Sequence, residues 1–136
     1  MAKHELDGRV YGSRYHGTRT TTDLADLAER IITELPSAGA ENIPVGTEFS
    51  IHVMVGVLLH VYVGGLSDEF TFSDRTSGRH SEQATELGNA LTRIVESYGW
   101  TNPSDPTDRR FVCSVYLLAE SDFRSSFWTP GVVRVA

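Results

Sequence analysis

The stretch Thr47–Gly65, TEFSIHVMVGVLLHVYVGG, limits the possible folds more than any other part of the chain. Its odd positions Phe49, Ile51, Val53, Val57, Leu59, Val61 and Val63 are all apolar, while the even positions Ser50, His52, Met54, Leu58, His60 and Tyr62 are mixed. Segregation with a period of two belongs to a β-strand, whose successive side chains point to opposite faces. Gly56, in the middle, marks a turn or bulge, so the stretch predicts a β-hairpin centred near Val55-Gly56. One face of that hairpin is an apolar slab. The other carries two histidines, a tyrosine and a serine. An even-sum register about the centre points His52 and His60 to the same face, directly across from each other.

An apolar slab needs a second layer, and two amphipathic runs supply it. Leu24, Leu27, Ala28, Ile31, Ile32 and Leu35 follow helical spacing and predict a helix from about Thr22 to Leu35, stopped by Pro36. Thr20, Thr21 and Thr22 offer an N-cap, and Asp23 and Asp26 suit the positive end of the dipole. Ala84, Leu87, Leu91, Ile94, Val95 and Tyr98 predict a second helix from about Glu82 to Tyr98, capped by Ser81 and followed by Gly99. Gly88 is its weak point, or a place of close approach to the sheet.

Residues Glu69–Ser73 alternate, with Phe70 and Phe72 on one side, and read as a short strand or an extension of the hairpin. Beyond a loop holding Pro103 and Pro106, Arg110–Ala119 splits by parity again. Phe111, Cys113, Val115, Leu117 and Ala119 are its apolar face; Val112, Ser114 and Tyr116 lie on the mixed one. Near the start, residues 9–16 suggest a short edge strand weakened by glycines, and residues 1–8 are expected to be disordered. The order (β)αββαβ predicts an α+β fold, with two helices on one face of an antiparallel sheet. A ferredoxin-like split βαβ is the natural arrangement. A chain of 136 residues fits one domain, 1–136. The tail, residues 120–136, carries Phe123, Phe127 and Trp128, too apolar to be left in water. It is expected to pack on the sheet or on a partner chain, and Val132–Val135 to form a last strand or such a contact.

A formal net charge of −6 disfavours a protein that tracks nucleic-acid phosphates with Lys and Arg. The single cysteine, Cys113, has no intramolecular disulfide partner, which suits a reducing compartment. No apolar run reaches the length of a membrane-spanning helix, and the N-terminus lacks the apolar core of a signal peptide. These readings predict a cytoplasmic protein.

Three places hold candidate chemistry. The mixed sheet face sets His52, His60 and Tyr62 beside Tyr116, too apolar for an idle surface and too polar for a core. It reads as a ligand platform, a nucleotide-stacking surface or a homo-oligomer face, unless the tail carrying Trp128 folds over it. The segment Arg14–Thr22 is the second place. There Arg14, His16, Arg19 and Thr20 stand before a helix N-terminus, a natural anion site whose plainer reading is capping with solvated charges. The third is Cys113, whose parity makes it a buried apolar side chain rather than a reactive thiolate. Two cross-strand histidines fall short of the three or four ligands of a usual metal site, so neither metal nor cofactor is expected. Phosphate-loop, dinucleotide-binding, nucleophile-elbow and metalloprotease motifs are absent.

The segments YHGTRTTTDLADLAERI, EFSIHV, LLHVYVGG, LTRIVESYGW and RRFVCSVYL, in that order, resemble a small accessory domain. It is of the kind known as large polyvalent protein-associated domains, found in phages and conjugative elements. The likeness runs from about Tyr15 to Leu118 and rests on fold-forming residues. It implies a phage or mobile-element origin and an accessory role, and transfers no catalytic residues. The leading expectation is a non-enzymatic binding protein that engages a host protein or a small ligand, an anionic one among the candidates, with counter-defence as one role that would fit. One alternative is nucleic-acid binding through Arg14–Arg19 and the sheet aromatics. The other is an enzyme acting on a phosphorylated small molecule through His52, His60 and Arg19.

Overall fold

The computed structural model describes residues 8–15, 24–37, 43–54, 57–74, 76–119 and 131–135. In chain order its elements are β1 (Val10–Tyr11), α1 (Leu24–Glu34, continued by a 3-10 turn over Leu35–Ser37), β2 (Glu48–Met54), β3 (Leu58–Leu66), α2 (Asp68–Thr71), β4 (Phe72–Asp74), β5 (Arg79–His80), α3 (Glu82–Glu96), β6 (Trp100–Thr101), β7 (Val112–Ala119) and β8 (Val133–Val135).

The apolar parity of the central stretch is realised as an antiparallel β2–β3 pair, in the register Phe49↔Val63, Ile51↔Val61 and Val53↔Leu59. All six of these side chains are buried, because both long helices lie on that face. Helix α1 packs on β2 and β8, and α3 on β7. From α1 come Leu24, Leu27, Ala28, Ile31 and Ile32; from α3 come Ala84, Leu87, Leu91 and Val95. Burying each large aliphatic side chain stabilises the fold by about 1.5–3 kcal/mol. Ser81 caps α3 as expected, its Oγ accepting the Ala84 N–H at 3.0 Å. The helix ends at Glu96, earlier than its apolar spacing suggests. Tyr98 is still buried, and its hydroxyl donates to Glu34 Oε1 at 2.7 Å, tying the ends of the two helices together. Burial and that bond push the phenol up to about 12.

The α+β class and the two helices on one face stand as expected. The sheet itself is mixed rather than antiparallel, with strand order β7-β3-β2-β8. Both outer pairings, β3–β7 and β2–β8, are parallel. The split βαβ arrangement is not formed, since β3 and β7, joined through α3, are direct neighbours. The N-terminal strand does not enter this sheet. β1 has only two residues, pairs with β6 (Tyr11↔Trp100), and is held against the end of α3 by Gly12 N–H donating to Gly99 O at 2.9 Å. The edge of β2 is taken instead by β8, anchored where Gly131 N–H donates to Phe49 O at 2.7 Å and Ile51 N–H to Val132 O at 3.2 Å. Of the two readings of Val132–Val135, the structure therefore forms the strand.

The expected strand Glu69–Ser73 is also corrected. Ser67 accepts the Phe70 N–H at 3.1 Å and starts the one-turn helix α2, leaving only Phe72–Asp74 to pair with β5. Trp100 is half-buried beneath the guanidinium of Arg9, 3.8 Å from the ring centre. Arg9 is held there by Asp108 at 2.9 and 3.1 Å. The turn residues Val55 and Gly56, residues 1–7 and the aromatic tail 120–130 lie outside the described residues. Among the described residues, no helix is long and apolar enough to cross a membrane.

Candidate binding face

The second face of the sheet is built from the even positions, and the strand registers arrange it in rows. His52 pairs with His60 on β3, His60 with Ser114 on β7, and His52 with Arg134 on β8. One row therefore reads Arg134, His52, His60, Ser114 across all four strands. On one side of it lies Ser50–Tyr62–Tyr116; on the other lies Met54–Leu58–Val112. Neighbours across a sheet have Cβ atoms about 5 Å apart, so each row is a line of touching side chains.

The four rings form one cluster. Tyr62 and Tyr116 stack, with centroids 5.3 Å apart and planes 21° apart. His52 leans on Tyr62 at 4.8 Å, and His60 meets Tyr116 edge-on at 5.3 Å. One face of each tyrosine is thus taken by the other. The surface presents ring edges and polar tips, unlike a platform of open rings on which nucleobases stack.

His60, Tyr62, Ser114 and Tyr116 are half-buried, and Arg134 is exposed. His52 differs from them in one atom: its Nε2 is out of solvent reach and without a hydrogen-bond partner among the described residues. Leaving such a group unsatisfied costs about 1–3 kcal/mol. Burial lowers the His52 pKa below its ordinary 6.5, with the positive Arg134 and then His60 acting in the same direction. Ser50, by contrast, is fully buried and satisfied, its hydroxyl donating to Val132 O at 3.2 Å.

Of the expected site residues, the structure brings together His52, His60, Tyr62 and Tyr116. Arg14 lies elsewhere, its Nη1 donating to Ser97 Oγ at 3.0 Å and its N–H to Ser97 O at 2.9 Å. There its charge faces the negative end of the α3 dipole. His16, Arg19, Thr20 and Trp128 lie outside the described residues. Arg134 was not among the expected site residues. Its signal was the alternation Val133-Arg134-Val135, which puts the arginine on the polar face once that strand pairs with β2. Cys113, on the helix-covered face, is partly buried; its surroundings push the thiol up to about 12, chiefly by burial and then through Glu96. Among the described residues, no group of three or more His, Cys, Asp or Glu side chains is placed to hold a metal ion. No protein-family model, curated protein or solved structure matches the chain.

Proposed function

We propose that the protein is a non-enzymatic binding protein whose working surface is the face built around His52, His60, Tyr62 and Tyr116. One observation carries this reading. His60, Tyr62, Ser114, Tyr116 and Arg134 converge on one side of the sheet, and among the described residues none of their side chains has a hydrogen-bond or salt-bridge partner. Away from this face, Arg9, Arg14, Ser81, Tyr98 and Asp108 each have a side-chain hydrogen-bond partner. A cluster of unsatisfied polar tips around an aromatic centre is the composition of a recognition surface. His52 is poorly placed as a general base, because its Nε2 is out of solvent reach and a general base has to reach the proton it takes.

The resemblance to phage and conjugative-element accessory domains fits such a role: a cytoplasmic accessory of a mobile element that engages a host protein or a small ligand. Native mass spectrometry of gently purified protein tests the reading. The expected result is extra mass over whole multiples of the chain, or a multimer, with either feature lost in His60→Ala/Tyr116→Ala. A bare monomer that captures nothing from host extract would overturn it.

A further inference from the structure

The row Arg134–His52–His60–Ser114 contains no carboxylate. On the four strands, the only carboxylate of the same parity among the described residues is Glu48. It pairs with Gly64, about 13 Å along β2 from His52 at the usual rise per residue. Arg134 is exposed and makes no ion pair among the described residues, and its register partner is a histidine. In a chain with a formal charge of −6, the described residues of the four strands place no acid in this donor-rich strip.

His52 lies between Arg134 and His60, with its Nε2 out of reach, and makes the floor. The groups free to meet a ligand stand on either side: the Arg134 guanidinium on one, His60 and the Ser114 hydroxyl on the other, with the tyrosine hydroxyls behind. A tetrahedral dianion, with three oxygens able to accept separate donors, matches this spread better than a planar carboxylate with two. In front lies the apolar row Met54–Leu58–Val112, of which Val112 is 39% exposed. It offers a surface to whatever carries the anion.

We infer that this face binds the phosphate group of a small organic phosphomonoester, held between Arg134 and the His60–Ser114 pair, with the apolar body of the ligand on the Met54–Leu58–Val112 row. This rests on the binding-face reading above and names its ligand class.

The test is titration of the full chain with phenyl phosphate, inorganic phosphate, benzoate and phenol, followed by the ring-proton NMR signals of His52 and His60. Phenyl phosphate is expected to give saturable shifts and to bind at least about tenfold more tightly than inorganic phosphate or benzoate. Arg134→Gln, a change at an exposed position, is expected to weaken it by about tenfold, the loss of one charge-assisted contact. Benzoate binding as tightly as phenyl phosphate overturns the phosphate assignment. So do shifts that never saturate, or that Arg134→Gln leaves unchanged. If these arms fail while native mass spectrometry shows another ligand or a multimer, the binding-face reading stands and only the ligand class falls. If both fail, the face itself is wrongly chosen.

Discussion

His52 and His60 face each other across the antiparallel β2–β3 pair, yet the two rings sit in different surroundings. His52 is wedged between His60 and Arg134 and leans on Tyr62, with one nitrogen out of water. His60 meets Tyr116 edge-on, on the side away from Arg134. The asymmetry has a consequence for stability. The folded pKa of His52 lies below the ordinary 6.5 that it regains on unfolding, so the unfolded chain binds the proton more readily. Its stabilising contribution is fully present above pH 6.5 and is lost as pH falls through the lower folded value. Urea unfolding at pH 7.5, 6.5 and 5.5 checks this. Wild type is expected to lose stability across that range more steeply than His52→Gln, which has no proton to gain. Parallel pH profiles for the two proteins would refute it.

Cys113 gives a second, independent readout. With its thiol pushed up to about 12, almost none of it is thiolate at pH 8. A disulfide reagent is therefore expected to leave the native protein unmodified over a time in which it labels urea-unfolded protein completely. Labelling of the native protein at the rate of a free thiol would mean that β7 opens readily from α3.

Gly88 was a point on which the sequence left two readings, a weak position in a helix or a place of close approach. The structure supports the first. A Cβ built there meets only Leu117 Cδ1, at 4.0 Å, an ordinary contact. Gly88→Ala is therefore expected to stabilise the protein by about 0.5–1 kcal/mol through helix propensity alone. Thermal unfolding would then shift upward by about 2–4 °C. A fall in the midpoint would show that α3 sits closer to the sheet than this contact implies.

How far the sequence could be read follows from what each pattern encodes. Parity along Phe49–Val63 records which side of a strand is buried, so the register of the β2–β3 pair and the His52↔His60 opposition were legible in advance. Helical spacing did the same for α1 and α3. Strand order is not written in parity. Nothing local says whether the edge beside β2 goes to Val10–Tyr11 or to Val133–Val135, since both segments are short and carry β-formers. The choice is made by contacts distant in sequence: Gly12 against the end of α3, and Gly131 against Phe49. For the same reason the face was legible and its charge was not. The cluster of His52, His60, Tyr62 and Tyr116 follows from two strands of known parity, but Arg134 joins it only once β8 is seated. Glu69–Ser73 misled because its alternation is short, and Ser67 wins its first half for a helical turn by capping.

The contact of Gly12 with α3 makes the last prediction. A Cβ at this position would lie 2.1 Å from the carbonyl oxygen of Ser97, backbone that has no rotamer with which to give way. Two main-chain bonds depend on the approach, Gly12 N–H to Gly99 O and Arg14 N–H to Ser97 O, each at 2.9 Å. Gly12→Ala must therefore push the N-terminal segment off the end of the helix, at a cost of about 1–3 kcal/mol, the range for overfilling a packed site. The sheet core does not include this segment, so the protein is expected to remain folded, with the change confined to the β1–β6 ribbon. Trp100 reports on it, because it lies under Arg9 and beside Tyr11 only while β1 is docked. Its fluorescence is expected to shift to the red in Gly12→Ala, while the His52 and His60 ring signals stay where they are. Unchanged emission would show that β1 accommodates the methyl group without leaving α3. Movement of the histidine signals would show that the ribbon and the candidate binding face are coupled through the sheet.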